Sequence, residues 1–299
     1  MSPNWTTTGA QELTAALGGR WAGRYGVAAC PVCQPERRRD QRALVLADGR
    51  AGLLLDCKKS SCGFADILAA AGLRAKSFTP PDLAEAARRE VETRADTQRK
   101  SEAAWRLWWK AQPIEGTLAE TYLRSRGITC PLPLSLRFHP DCWHAPSDRC
   151  WPAMVALVEG GEGFAIHRTW IRPDGSGKAD IDPAKAMLGR CSGGAVRLAE
   201  GHGRLVVAEG LESALSLLCG LLDAPTAMWA GLSTSGLRAL RLPIQPGRLT
   251  IACDGDTPGR TAAHALAERA HAQGWAVTIA DPGDGADFND ILNGKAVLA

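Results

Sequence analysis

Two sets of residues in this chain have the types and spacing to do chemistry. The first is cysteine: Cys30-Pro-Val-Cys33 and, 23 residues later, Cys57-Lys-Lys-Ser-Ser-Cys62. Gaps of two and four residues let both thiolates of a pair face one tetrahedral Zn²⁺, and two such pairs complete its shell. With cysteine at all four positions no place is left for water, so the zinc chemistry is structural rather than catalytic. The second set is carboxylate. Glu209, then Asp254 and Asp256, then Asp284, Asp287 and Asp290 each follow a short apolar run. Carboxylates gathered at one place repel each other unless cations bind them, which suits Mg²⁺ and phosphoryl chemistry.

Other candidates are weaker. Cys142, His144 and Cys150 suggest a second metal site but lack a fourth ligand. Cys130, Cys191, Cys219 and Cys253 read as small buried apolar residues. His264 and His271 follow the Asp254/Asp256 pair on a helix, where a surface role is the commoner one.

These residues must be positioned by the elements around them. Between the cysteine pairs, Ala43–Ala47 and Leu53–Leu55 flank the turn signal Asp48-Gly49 and predict a hairpin, the scaffold of a zinc ribbon. Arg37, Arg38, Arg39 and Arg42 after the first pair, with Lys58 and Lys59 inside the second, put positive charge on the metal module. Such charge suits nucleic acid, and a solvated loop equally. Residues 82–110 predict a long helix. Its Trp105, Trp108 and Trp109, at i, i+3, i+4, form one face expected to dock on the next domain; stacking on bases is the alternative. In the middle, strands are expected over 152–158 and 164–171, with Lys185–Gly189 following a turn at 173–177. From residue 203 apolar runs alternate with helical patterns. Strands are expected at 204–208, 226–230, 249–253 and 276–280, with helices at 211–222, 235–240 and 258–273. Such alternation predicts a parallel sheet covered by helices, with functional residues at the carboxyl ends of its strands.

The bulk composition agrees. At 299 residues, 45% hydrophobic and 22% charged, the chain is expected to fold into several domains. Net charge is only +3, but residues 1–112 hold 18 basic against 12 acidic residues, and residues 203–299 hold 7 against 10. No signal-peptide pattern opens the sequence. The longest apolar stretch, 211–232, contains Glu212 and Asp223 and breaks at Pro225, so a membrane span is not expected. Ten cysteines then suggest metal ligands in a reducing cytoplasm rather than disulfides. The expected organisation is α+β overall: a β zinc ribbon (1–76), a helical connector (77–112), a mixed α/β subdomain (113–202) and an α/β domain with a parallel sheet (203–299).

Three segments carry a specific resemblance. Val206-Val207-Ala208-Glu209-Gly210, Cys253-Asp254-Gly255-Asp256-Thr257-Pro258-Gly259 and Gly285-Ala286-Asp287-Phe288-Asn289-Asp290 resemble the TOPRIM domain of primases, topoisomerases, nucleases and RecR-like repair proteins. The resemblance implies that Glu209, Asp254, Asp256 and Asp287 hold Mg²⁺ (or Mn²⁺), with Glu209 in an acid/base role and Asp290 supporting. Glu120–Ile128, with Tyr122-Leu123 and Arg126-Gly127-Ile128, further resembles the segment opening the catalytic core of bacterial and phage primases. It implies a DNA primase of mobile-element type, joining NTPs into primers on single-stranded DNA beside a separate replicative helicase. No G-x4-G-K-[ST] motor motif occurs. By the same resemblance Arg168 and Lys185 line the primer-template groove; Arg124 and Arg126 of the core-opening segment, with Arg38 and Lys58 by the charge of the metal module, are further candidates for contact with nucleic acid or NTP. A RecR-like DNA-binding protein and a TOPRIM nuclease are the competing readings.

Overall fold

A computed structural model describes residues 9–38, 41–49, 52–73, 83–201, 203–222 and 226–295. Arg39, Pro225 and the expected boundary between 76 and 77 lie outside them. The chain forms two compact units, Met1–Arg94 and Ala95–Ala299.

In the first unit, helix α1 (Ala10–Ala16) precedes strands β1 (Arg20–Trp21), β2 (Gly26–Ala28), β3 (Leu44–Gly49) and β4 (Gly52–Cys57), and helix α2 (Phe64–Ala70) follows. The strands form an antiparallel sheet in that order. The expected hairpin is β3–β4, but its ladder runs on to Gly49↔Gly52, so Asp48 and Gly49 belong to the strand. Alternation sends Leu44 and Leu46 inward, where they meet Leu13 of α1 and Ile67 of α2 in one small core. Gln34 is buried there too. Its Oε1 accepts from the Cys30 amide (3.2 Å) and the Ala43 amide (3.0 Å), tying the first knuckle to the hairpin.

Helix α3 (Leu83–Lys110) runs across the boundary between the units. In the second unit follow β5 (Gln112–Pro113), α4 (Leu118–Ser125), β6 (Leu136–His144), β7 (Arg149–Val158), β8 (Ala165–Trp170), β9 (Lys185–Gly189) and β10 (Val196–Ala199). Strands β5 to β9 form an antiparallel sheet in sequence order. β6 escapes the sequence pattern because His139, Pro140 and Asp141 interrupt it, and the ladder to β7 shifts register there. A bulge can accommodate proline that a regular ladder cannot.

The last segment contains β11 (Arg204–Ala208), α5 (Leu211–Ser216), β12 (Ala227–Ala230), α6 (Thr234–Ala239), β13 (Arg248–Ala252), α7 (Thr257–Ala272), β14 (Ala276–Ala280) and α8 (Phe288–Leu292). Its sheet has the order β10-β12-β11-β13-β14. Four strands are parallel as expected, but β10 joins antiparallel beside β12, which makes the sheet mixed. Helix α5 also stops sooner than the apolar pattern suggests: Leu217–Leu221 is an irregular turn, with Gly220 at φ 110°. One continuous core joins both sheets of this unit, running from Leu123, Phe138 and Met154 to Val206, Met228 and Phe288.

The three tryptophans of α3 do not share one role. Trp108 is 5% exposed and packs with Ala104, Val155 and Ile166, whereas Trp105 and Trp109 are 52% and 60% exposed. Only one indole of the expected docking face reaches the sheet. Trp108→Ala is therefore expected to destabilise the chain by about 3–5 kcal/mol. Trp105→Ala should stay within about 0.5 kcal/mol of the parent in urea melts.

Candidate functional site

The four cysteines converge. Cys30 and Cys33 follow β2, Cys57 ends β4 and Cys62 lies in the next loop. One ligand atom from each falls within 4.8 Å of all the others, and the Cys33 and Cys57 sulfurs are 3.5 Å apart. Four Zn–S bonds of about 2.3 Å in a tetrahedron place sulfurs roughly 3.8 Å apart, so the cluster fits zinc. Burial works against the Cys57 thiolate, but the amides of Ser60, Cys62 and Lys59 outweigh it and bring the thiol down to about 6. The first knuckle's Arg38 is exposed, with its amide bound to Gln41, while Lys58 is paired with Asp56.

The carboxylates are gathered by strand register. Ala208 pairs with Ala252, and Ala252 with Ala280, so β11, β13 and β14 end in one row. Glu209 and Asp254 leave that row one and two residues later. The loops are then tied together: the Gly255 amide donates to Ala286 O (2.9 Å) and the Gly285 amide to Gly255 O (2.8 Å). A Cβ on Gly255 would lie 1.8 Å from Gly283 O, so only glycine permits this approach. At Gly259 a Cβ would lie 2.7 Å from Asp254 O and 2.9 Å from Glu209 Oε2, so glycine lets the start of the next helix approach the acids.

Two of the acids also cap helices. Asp256 accepts from the Gly259 amide (2.7 Å) at the start of α7. Asp287 and Asp290 form a reciprocal capping box on α8, so Asp290 is occupied locally. Asp284 and Asp281 are paired with Arg260. Glu209 is the strained member. Its Oε2 is buried without a hydrogen-bond partner. Burial, then the charges of Asp254 and Asp256, push its carboxyl up to about 7. Asp254, bonded by Ser213 Oγ at 3.4 Å, is raised by burial and by Asp287. The four carboxylates do not close into a tight ligand set: among the described residues only the cysteines do so. A buried, unpartnered carboxylate oxygen among like charges nonetheless fits a hard divalent cation.

The expected basic residues separate. Lys185 shares a face of the antiparallel sheet with its partner Thr169, and its charge eases ionisation of both Glu209 and Asp254. Arg168 pairs with Ala186, one step out of phase, and points to the opposite face. There it lies 4.7 Å from the Trp170 ring, so it does not share a groove with Lys185. Arg124 is engaged by Glu120 and by the carbonyls of Ile128 and Cys130. Arg126 is anchored through its carbonyl to Asn289 of α8 and to Asn293, which caps that helix, and its Nε is buried without a partner. Nor do Cys142, His144 and Cys150 form a second metal site. Both His144 nitrogens are occupied, by Ser147 Oγ and Pro183 O.

Sequence reasoning missed a polar cluster beside the acids. Glu212, in the first turn of α5, accepts from Tyr122 Oη (2.6 Å) and pairs with Lys178 (2.8 Å). Those charge-assisted bonds outweigh burial and hold its carboxyl well below the ordinary range. His167 sits on the Lys185 face, buried, with an unpartnered Nδ1. Its only sequence signal is position: it alternates with Thr169 along β8.

Residues 204–296 match the Toprim domain family. Residues 98–198 match a domain of unknown function, DUF7146. The chain thus carries a Toprim domain over residues 204–296 and, near its N-terminus, a four-cysteine cluster that fits a zinc site. No curated protein matches it. Among solved structures it is similar to the zinc-binding and RNA polymerase domains of Aquifex aeolicus primase, at 13% identity over 95% of this chain and 79% of that one, with a TM-score of 0.40. A Pseudomonas aeruginosa DNA primase domain matches at 15% identity over 67% and 75% of the two chains, with a TM-score of 0.38. The RNA polymerase domain of Mycobacterium tuberculosis primase matches at 15% identity over 65% and 77%, with a TM-score of 0.36. Among the described residues no helix is long and apolar enough to cross a membrane.

Two outcomes follow from this geometry. Mg²⁺ at a hundredfold excess over its Kd is expected to stabilise the chain by about 2.7 kcal/mol, read as a rise in Tm, and Glu209→Gln should lose most of that rise. Burial holds His167 at about 4, below the ordinary 6.5, so its contribution is full above pH 6.5 and is lost as pH falls toward 4. The stability gap between the parent and His167→Asn should narrow across that window, as measured by urea melts at each pH.

Proposed function

We propose that the chain is a DNA primase, a nucleotidyltransferase that joins NTPs into short primers on single-stranded DNA in the cytoplasm. The observation that carries this reading is the placement of Lys185 on the sheet face whose charge reaches Glu209 and Asp254. Carboxylates alone would suit any Toprim chemistry, since fold does not fix reaction. A cation of the antiparallel sheet whose charge is felt at both acids is suited to be the phosphate-binding half of a polymerase site.

In the reaction, a 3′-hydroxyl attacks the α-phosphate of an incoming NTP and pyrophosphate leaves. Glu209, titrating near neutrality, is suited to hold or take the proton of that hydroxyl. Lys185 orients the phosphates as a mobile point charge. Asp254, Asp256 and Asp287, with Glu209, are the residues that would hold Mg²⁺, which supplies the positive charge the developing phosphorane requires. The Tyr122–Glu212–Lys178 cluster fixes the first turn of α5 and so the loop bearing Glu209. The basic residues of the zinc module, Arg38 among them, suit contact with template phosphates.

Incorporation of labelled NTPs on random single-stranded templates tests the reading. The parent should extend, Asp254→Ala and Glu209→Ala should lose at least about a hundredfold, and Lys185→Ala should raise KM for NTP. Strand cleavage without NTPs would identify a nuclease instead. Binding without incorporation over a wide template panel would identify a RecR-like binding protein.

A further inference from the structure

The two exposed indoles of α3 have no part in either core. Trp108 already fills the slot against Val155 and Ile166, while Trp105 and Trp109 turn away with 52% and 60% of their surface in solvent. They are neighbours at i, i+4, with ring centroids 6.1 Å apart and planes tilted by 57°. Leaving two large rings side by side in water forgoes burial and invites aggregation.

Trp109 is also held in place, and Trp105 leans on it. Arg137, rising from β6, donates from Nη1 to the Trp108 carbonyl at 3.1 Å, near the end of α3. The same guanidinium lies 4.4 Å from the Trp108 ring centroid and 5.3 Å from that of Trp109. A cation on a helix C-terminus and an aromatic face is doubly favoured, and it limits the rotamers of Trp109. Ordering ahead of binding lowers what an incoming ligand must lose in entropy. The surrounding charge is positive: Arg106 and Lys110 are exposed on the same helix end, and burial first, with the charge of Lys110 adding to it, depresses His139 on β6. Glu102, one turn back, is engaged by Arg106.

Flat, prepositioned π-faces ringed by cations match one class of partner, a polymer of planar bases on an anionic backbone. We propose that Trp105, Trp109 and Arg137 form a stacking platform for single-stranded DNA, separate from the carboxylate site. Arg137 pairs with Val155, so it emerges on the face of the antiparallel sheet that α3 covers, whereas Lys185 lies on the other face. The platform therefore engages template away from the reacting strand end. The inference rests on the reading of the chain as acting on single-stranded DNA, but it concerns a different surface.

The test is fluorescence anisotropy with labelled oligo(dT) of about 20 nucleotides and an abasic oligomer carrying equal phosphate charge. The double variant Trp105→Leu/Trp109→Leu should bind oligo(dT) about tenfold or more weakly and the abasic oligomer as the parent does. Trp105→Tyr/Trp109→Tyr, which keeps the rings, should recover most of the affinity. Parent-like oligo(dT) binding by the Leu variant would overturn the platform, as would an equal loss for both oligomers or a Tyr variant no better than Leu. Labelled-NTP incorporation by the parent, run beside the binding assay, separates the two readings. Parent-like binding that depends on the tryptophans, with no incorporation even by the parent, sinks the primase and spares the platform. Template-dependent incorporation with Trp-independent binding does the reverse.

Discussion

Mutual repulsion among carboxylates is the constraint around which the larger unit is arranged. Glu209, Asp254, Asp256 and Asp287 would separate if their loops were free. They are held instead by devices that do not require their side-chain charges to be neutralised: a common row of strand ends, reciprocal backbone bonds between the Gly255 and Gly285 loops, and helix caps at Asp256 and Asp287. The electrostatic cost concentrates on the half-buried Glu209, whose Oε2 is shut away without a hydrogen-bond partner while the Asp254 amide offers the carboxylate one bond. The protein thus keeps a carboxyl that titrates near neutrality in place by distributing its restraint over neutral backbone.

The zinc unit solves the opposite problem. Its core is small, and a metal held by the four thiolates would add cohesion that so little buried apolar surface supplies sparingly. Gln34 shows how closely the two are coupled, since one buried side chain satisfies amides of both the knuckle and the hairpin.

Much of this was legible in the sequence where one signal dominated. Paired cysteines around a hairpin, and acids after apolar runs, are local patterns, and the strands β11, β13 and β14 fall within a residue of expectation. What escaped depended on register and context. Arg168 and Lys185 read as partners, yet the ladder pairs Arg168 with Ala186 and Lys185 with Thr169, and a one-residue offset sends them to opposite faces. That offset is set by the connection across 171–184, including the Ile171↔Lys178 bridge, which no periodicity reveals. The Trp105, Trp108, Trp109 stripe failed for a related reason: helical spacing says which residues neighbour one another, but not how wide a stripe the opposing sheet can cover. Glu212 looked like an ordinary first-turn acid until Tyr122 and Lys178, distant in sequence, gave it partners.

Strand β10 has a consequence for how this protein can be divided. Its residues Val196–Leu198 fall inside the segment matching the domain of unknown function, yet they complete the sheet of the Toprim domain by pairing with β12. Cutting the chain between the two matched segments would leave β12 as an unprotected edge, a row of open backbone donors and acceptors prone to pairing between molecules. The border drawn by sequence similarity therefore does not coincide with a border of cooperative folding. A fragment meant to carry the Toprim sheet intact must therefore begin before Val196.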